Sequence, residues 1–348
     1  MIPALPRPLR YLDLSGYAFT GKHAVIDLVR EFAGYTVAHF QFEFNLLRIQ
    51  GGIRDLETAL AEDWSPIRSD AALRRFRKLA RRLAAKNSWA NPTSWFEAVG
   101  WNYDDFFKGR FTPATEAYLR GLVEATWRTE WPYPAAEMGA GELFFRKLKQ
   151  KLRVPSAFDI DYSLAAPDDF LERTRDYLAT LMAAFAEPSD HTVVMHNSME
   201  PFSPTRALRY FHDARSIIVD RDPRDVYVAQ NRYVPPGSTA KPGPYRAVAA
   251  TPEIFCRRFR LMRKVAASAP DDPQRILRVN FEDVVLGYDA SLGKIMSFLG
   301  ETPATHVRAR EYFKPEQSAK NIGLWRTYPD QAAIALIRSD LAEFCVES

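Results

Sequence analysis

Gly16-Tyr-Ala-Phe-Thr-Gly21-Lys22 places four residues between two glycines, with a lysine directly after. That spacing suits an anion. The glycines let backbone N–H groups wrap a phosphate, a following helix directs its positive end at it, and lysine adds a full charge. A loop for a magnesium-bound nucleoside triphosphate continues with Ser or Thr, which holds the metal; here the next residue is His23. The chemistry implied is phosphate binding without magnesium.

Two further segments could hold anions. In Ser216-Ile-Ile-Val-Asp-Arg221-Asp222-Pro223-Arg224-Asp225-Val226, an apolar run predicts a buried strand, and Asp222 with Pro223 predicts a capped helix start. Arg221 then stands at the carboxyl end of a strand, where open α/β sheets bind ligands, and its planar fork suits phosphate. An Arg221–Asp225 surface ion pair is the bland alternative, and Arg224 is expected to face solvent. The third segment, Lys314 to Trp325, gathers Lys320, Asn321, Gly323 and Trp325 in one polar loop. Trp325 there reads more readily as a core anchor than as a stacking platform.

The elements that would position these residues follow from periodicity. Tyr11–Ser15 reads as a strand before the loop, and Val25, Leu28, Val29 and Phe32 fall at helical spacing within 23–32. Tyr35–Phe40, Thr192–His196, Ser216–Val219 and Ile276–Val279 read as further strands. Helices are expected over 168–185, 204–212, 223–233, 252–267 and 291–299. Strands alternating with helices predict an α/β fold, a central parallel sheet with helices on both faces. Prolines and glycines between Pro235 and Pro244 mark a loop long enough for a lid.

Between about 55 and 165 the pattern changes to helices rich in Arg, Lys and Trp. Leu73, Phe76, Leu79 and Leu83 form a stripe with arginines around it, which reads as a solvated face or as a surface for an anionic acceptor. This stretch is expected as a helical insertion in one domain spanning 1–348, capping the acceptor side.

Composition narrows the classes. With 348 residues and 47% hydrophobic content, the chain can bury a core without staples. A net charge of +4 is too small for a nucleic-acid binder that neutralises many phosphates. Cys256 and Cys345 lie far apart, which predicts neither a zinc site nor a disulfide framework. No apolar run of about 18 residues predicts a membrane span, and the opening MIPALPRPLR lacks the apolar core of a signal peptide. The expected location is cytoplasmic.

SGYAFTGKHAV, IIVDRDPRDVYV, VNFEDVV with KIMSFLG, and KNIGLW, in this order, resemble the sulfotransferases that use 3′-phosphoadenosine 5′-phosphosulfate (PAPS). The resemblance covers about residues 10–50 and 190–330. It implies a P-loop-like α/β fold and transfer of a sulfuryl group to a hydroxyl or amine, here expected to be a hydroxyl, leaving adenosine 3′,5′-bisphosphate (PAP). It further implies that Gly16, Tyr17, Ala18, Phe19, Thr20, Gly21, Lys22 and His23 cradle the 5′-phosphosulfate. Arg221 would hold the 3′-phosphate, and Lys320 and Asn321, with the backbone near Gly323, would close over it. A metal is not generally needed, in keeping with His23.

Two positions depart from the family. Phe19 stands where the family usually carries Lys or Arg, which leaves Lys22 as the catalytic cation. Ala229 replaces the usual phosphate-binding serine, which leaves Gln230 or Asn231 to cover that contact. For the base, His196 resembles the catalytic histidine of cytosolic members, with a hydrogen-bonded structural histidine as the bland alternative, and Glu43 is its rival, because carbohydrate-modifying members often place a glutamate after the second strand. His39 is a third candidate. Glu282 and Asp283 read as structural. Trp89, Trp95, Trp101, Trp127 and Trp131 suit a sugar acceptor through stacking and equally suit a compact helical cap; a carbohydrate is the expected acceptor, with a small hydroxylated metabolite next. A P-loop small-molecule kinase and a non-catalytic nucleotide-binding scaffold are the alternatives, the latter suggested by Phe19 and Ala229.

Overall fold

The computed structural model describes residues 8–38, 43–86, 88, 95, 99–130, 133–232, 251–268 and 270–346. His39, Trp89, Trp131 and the expected lid around 235–244 lie outside them. The chain divides into two compact units, 1–45 with 185–348, and 46–184.

The main elements begin with β1 (Arg10–Gly16), α1 (Lys22–Val29) and β2 (Tyr35–Val37). The unit 46–184 contributes α2 (Pro66–Ala84), α3 (Phe111–Leu122), β3 (Ala125–Glu130), α4 (Ala140–Lys151), β4 (Asp159–Leu164) and α5 (Phe170–Met182). The chain then forms β5 (Thr192–His196), β6 (Ala214–Asp220), α6 (Pro223–Asn231) and α7 (Pro252–Ala267). It ends with β7 (Ile276–Asn280), α8 (Tyr288–Leu299) and α9 (Gln331–Asp340).

In the first unit five strands form a parallel sheet in the order β2-β5-β1-β6-β7. The sheet is the α/β architecture that the alternating pattern predicts. Leu12 and Leu14 of β1 pack with Val25, Leu28 and Val29 of α1 and with Ile217 and Val219 of β6 in one apolar cluster. Because every strand runs the same way, the carboxyl ends of β1, β5 and β6 meet at one edge: Gly16, His196 and Asp220. That edge is where an open α/β sheet takes ligands.

The unit 46–184 departs from the helical insertion that its sequence pattern predicts, because it also contains a strand pair. β3 and β4 pair antiparallel, from Ala125 with Leu164 to Glu130 with Asp159. Thr126, Trp127 and Thr129 in β3 and Ile160 and Tyr162 in β4 are strand formers, and this short pairing outweighs the surrounding helical pattern. Helices α3 and α5 are joined by two buried hydroxyl pairs, Thr115 with Tyr177 and Tyr118 with Thr174, each at 2.7 Å. Leu73, Phe76 and Leu83 of α2 are buried, so the stripe seen in the sequence is a packing face.

Candidate active site

Gly16 closes β1, and the loop to α1 turns through positive φ at Ala18 (73°), Phe19 (56°) and Gly21 (79°). Two successive left-handed residues curl the backbone into a concave turn of the kind that binds anions. A side chain at Gly16 would meet Thr20 Oγ1 at 2.2 Å, and one at Gly21 would strike the Phe281 ring at 2.4 Å. Glycine is therefore required at both by close approach, and at Gly21 by φ as well. The N–H groups of Ala18, Thr20 and Gly21 have no acceptor among the described residues. Donors facing no protein acceptor at a helix start fit a phosphate or phosphosulfate group.

The side chains of the loop divide by role. Tyr17 is buried and its hydroxyl accepts a 2.8 Å bond from Arg278 and donates to the Pro201 carbonyl, so Tyr17 can serve an anion through its backbone alone. His23 is exposed, with its ring edge-on to that of His196 at a centroid distance of 6.1 Å. Lys22 Nζ lies 3.1 Å from Glu43 Oε1, and the same oxygen accepts the Asn197 amide at 2.5 Å. Lys22, Glu43 and His196 thus come together around the turn after β5, although they are far apart in sequence. Asn197, in the left-handed region at φ 45°, is the member sequence reasoning missed; its neighbour His196 was the available signal.

Arg221 is buried and joins two loops. One guanidinium nitrogen donates to the Phe19 carbonyl at 3.0 Å, and the other donates to the Asn321 carbonyl. Its Nε, also buried, has no partner among the described residues. The pair with Asp225, at 3.9 Å, is buried rather than on the surface. Burial lowers the affinity of Arg221 for its proton, opposed first by Asp225 and then by Glu282 and Asp222. Asp225 also accepts the Gly323 N–H at 2.7 Å and the Trp325 N–H at 3.2 Å. One carboxylate therefore fixes the late loop to the first turn of α6. The three segments singled out in the sequence meet here, and Asp225 is the clamp that spacing alone did not reveal.

Arg224 corrects an expectation. It is buried, pairs with Asp222 at 2.6 Å, donates to the Val346 carbonyl and stacks over Trp325 at 4.0 Å. A flat guanidinium between a carboxylate and an indole is well satisfied under cover. Asp222 caps α6 as expected, accepting the Arg224 N–H at 2.8 Å. Glu282 accepts the Asp222 N–H at 3.0 Å, a structural role. Gln230 is buried, and Asn231 gives its amide to the Tyr227 carbonyl of its own helix. Lys320 and Asn321 are exposed in a short turn, and Gly323 has φ 76°.

Beneath the loop, Asp13 of β1 is fully buried. Its carboxylate accepts the Ser15 hydroxyl at 2.5 Å, the Ser198 N–H at 2.8 Å and the Ser216 hydroxyl at 3.3 Å. Burial pushes its pKa up to about 6, against those hydrogen bonds and the attraction of Lys22. In the unit 46–184, a groove of about 610 Å³ is lined by Lys78, Arg82 and Arg75 of α2 above Leu56 and Leu79. Arg75 is paired with Glu137.

No family model and no curated protein matches the chain. Among solved structures, it is similar to the sulfotransferase domain of the Synechococcus PCC 7002 olefin synthase, at 12% identity over 97% of both chains with a TM-score of 0.38. It is also similar to sulfotransferase STF9 from Mycobacterium avium, at 16% identity over 98% of this chain and 78% of that one, TM-score 0.38. A third is retinol dehydratase in complex with androsterone and the inactive cofactor PAP, at 15% identity over 98% and 84%, TM-score 0.34. These similarities are low, and the site residues themselves carry the functional reading.

Proposed function

We propose that this chain is a sulfotransferase that moves a sulfuryl group from PAPS to a hydroxyl of an acceptor, without a metal. The observation that carries the reading is the meeting of three loops: Arg221 bonds the Phe19 carbonyl of the first and the Asn321 carbonyl of the last. A nucleotide with phosphates at both ends of its ribose needs such separated anion sites. The 16–23 loop would take the 5′ side through its open N–H groups and Lys22. Arg221, Gln230, Lys320, Asn321 and the Gly323 backbone would take the 3′-phosphate.

When bound, PAPS supplies an activated sulfuryl group whose bridging oxygen gains negative charge as the bond breaks. Lys22, at the start of α1, stabilises that charge; a fixed cation there acts mainly in the transition state. His196 takes the acceptor proton as the hydroxyl attacks. Glu43 orients Lys22 and Asn197. A second reading gives the proton to Glu43, favoured by its side chain being 39% exposed beside Lys22, while His196 is 1% exposed.

The acceptor we infer is a carbohydrate, handled by the unit 46–184 as an acceptor-side cap. Trp95, Trp101 and Trp127 are exposed indoles of the kind that stack on a sugar, and Lys78 and Arg82 line a groove that would suit one carrying an acidic group. Thermal denaturation without magnesium tests the donor site. PAP at 100 times its dissociation constant should stabilise the fold by about 2.7 kcal/mol, and ATP with Mg²⁺ much less. The reverse ranking would favour a kinase. Binding of PAP without transfer of labelled sulfur from PAPS to any of a panel of saccharides and other hydroxyl acceptors would favour a scaffold. Transfer to non-saccharide acceptors alone would remove the sugar assignment.

A further inference from the structure

Helix α4 has no buried residue along its whole length. Leu143 and Arg146 are half-buried, and Arg146 donates to the Ala157 and Asp159 carbonyls, so this face rests on the backbone leading into β4. The opposite face points outward. At 100° per residue, Phe144, Phe145 and Leu148, with Leu152 at the helix's C-terminal cap, fall within one arc of about 100°. They are 63%, 63%, 41% and 67% exposed. On the same wheel, Lys147 and Lys151 border this stripe on one side and Lys149 borders it on the other. All three lysines are exposed, and none has an acidic partner among the described residues.

We propose that α4 docks on an anionic lipid surface, lying in the plane of the interface with its apolar stripe inserted and its lysines at the headgroups. A short amphipathic helix with aromatic and leucine side chains on one face and lysines along the borders has the composition and geometry of an interfacial helix. Among the described residues no helix is long and apolar enough to cross a membrane, so the contact would be peripheral. Charge decides against a second copy as the occupant. In a twofold contact the same patch faces itself, which would bring lysine borders against lysine borders. The stripe also exposes on the order of 400 Å², taking 150–250 Å² per large side chain, about half of what each partner buries in a stable dimer. Lipid headgroups remove both difficulties, because they supply negative charge and need no matching surface.

Co-sedimentation of the full chain with vesicles tests the assignment. Vesicles of phosphatidylcholine with phosphatidylserine should bind the protein, vesicles of phosphatidylcholine alone should bind it far less, and added salt should weaken binding. Phe144→Ser and Phe145→Ser should each lower the partition coefficient about tenfold or more. Lys147→Gln, Lys149→Gln and Lys151→Gln should each lower it by roughly fivefold. The side chains are exposed, so thermal melts should match the parent and exclude misfolding as the cause. Failure to bind the anionic vesicles, or equal binding by the Phe144→Ser and Phe145→Ser variants, overturns the proposal. A dimer in analytical ultracentrifugation that these substitutions dissolve would give the face to a second copy and overturn it as well. None of these readouts involves PAPS, so the outcome is independent of the reaction.

Discussion

Lys22 and Asn197 both reach one carboxylate oxygen, Glu43 Oε1, at 3.1 and 2.5 Å. A single acceptor atom thereby ties the first residue of α1 to the turn after β5. The Lys22 side chain is 12% exposed, so its ammonium is partly withdrawn from water and held in one place. A cation fixed in this way can stabilise developing charge with little reorganisation.

Lys22→Ala should therefore lower turnover by roughly 10²–10³-fold, the usual cost of losing one electrostatic stabiliser of the transition state. PAP affinity should fall by much less. Isothermal titration beside steady-state rates separates the two effects. Proportional losses in both would make Lys22 a ground-state clamp for the phosphate and place the catalytic cation elsewhere.

Arg221→Ala should act on both fold and ligand. It removes the bonds to the Phe19 and Asn321 carbonyls and leaves Asp225 buried without its nearest cation. Breaking a buried pair by removing one partner costs about 3–5 kcal/mol, measurable by urea unfolding. PAP binding should weaken by roughly 2–5 kcal/mol, while a nucleotide lacking the 3′-phosphate should be nearly indifferent. Equal losses for the two nucleotides would confine Arg221 to holding the loops together.

The strand ends were legible because buried parallel strands read as short apolar runs and their successors as capped helices. Thr192–His196 and the Asp222-Pro223 start of α6 stand where the sequence puts them. Tertiary partners were not legible. Nothing in the spacing of Asp225 shows that its two oxygens will meet N–H groups about 100 residues later, at Gly323 and Trp325. Arg224 misled for a related reason. A charge one position from a helix start reads as exposed until Trp325 and the Val346 carbonyl are brought over it. The β3–β4 pair was hidden by a long connection, since strands this far apart give no hairpin signal.

His196→Ala should reduce turnover by about 10²–10⁴-fold with PAP affinity nearly intact, and it should remove the acid-side limb of the pH–rate profile. Glu43→Gln keeps the shape and can still accept the Lys22 and Asn197 bonds through its amide oxygen, so it isolates the charge. A slow Glu43→Gln enzyme beside an active His196→Ala enzyme would transfer the proton to Glu43. If both variants are slow and only His196→Ala flattens the acid limb, His196 is the base and Glu43 positions Lys22.

Asp13 links the chemistry of the sheet edge to stability. Its pKa, about 6 in the folded chain against 3.8 for the free side chain, is raised by burial. A carboxyl that binds its proton more tightly when folded contributes stability that is fully present below about pH 4 and is lost as pH rises through about 6. The difference amounts to about 3 kcal/mol at 1.36 kcal/mol per unit. Asp13→Asn removes the titration, and the Ser15 and Ser216 hydroxyls can rotate to accept from the new amide. Urea unfolding of both proteins from pH 4 to pH 7 should show the variant gaining on the parent by about that amount, with most of the change between pH 4 and pH 6. Taking the difference between the two proteins cancels the other carboxylates, which titrate in both. A difference that stays flat across this range would mean that Asp13 ionises in the fold as it does in the unfolded chain, with Lys22 and the three hydrogen bonds offsetting its burial.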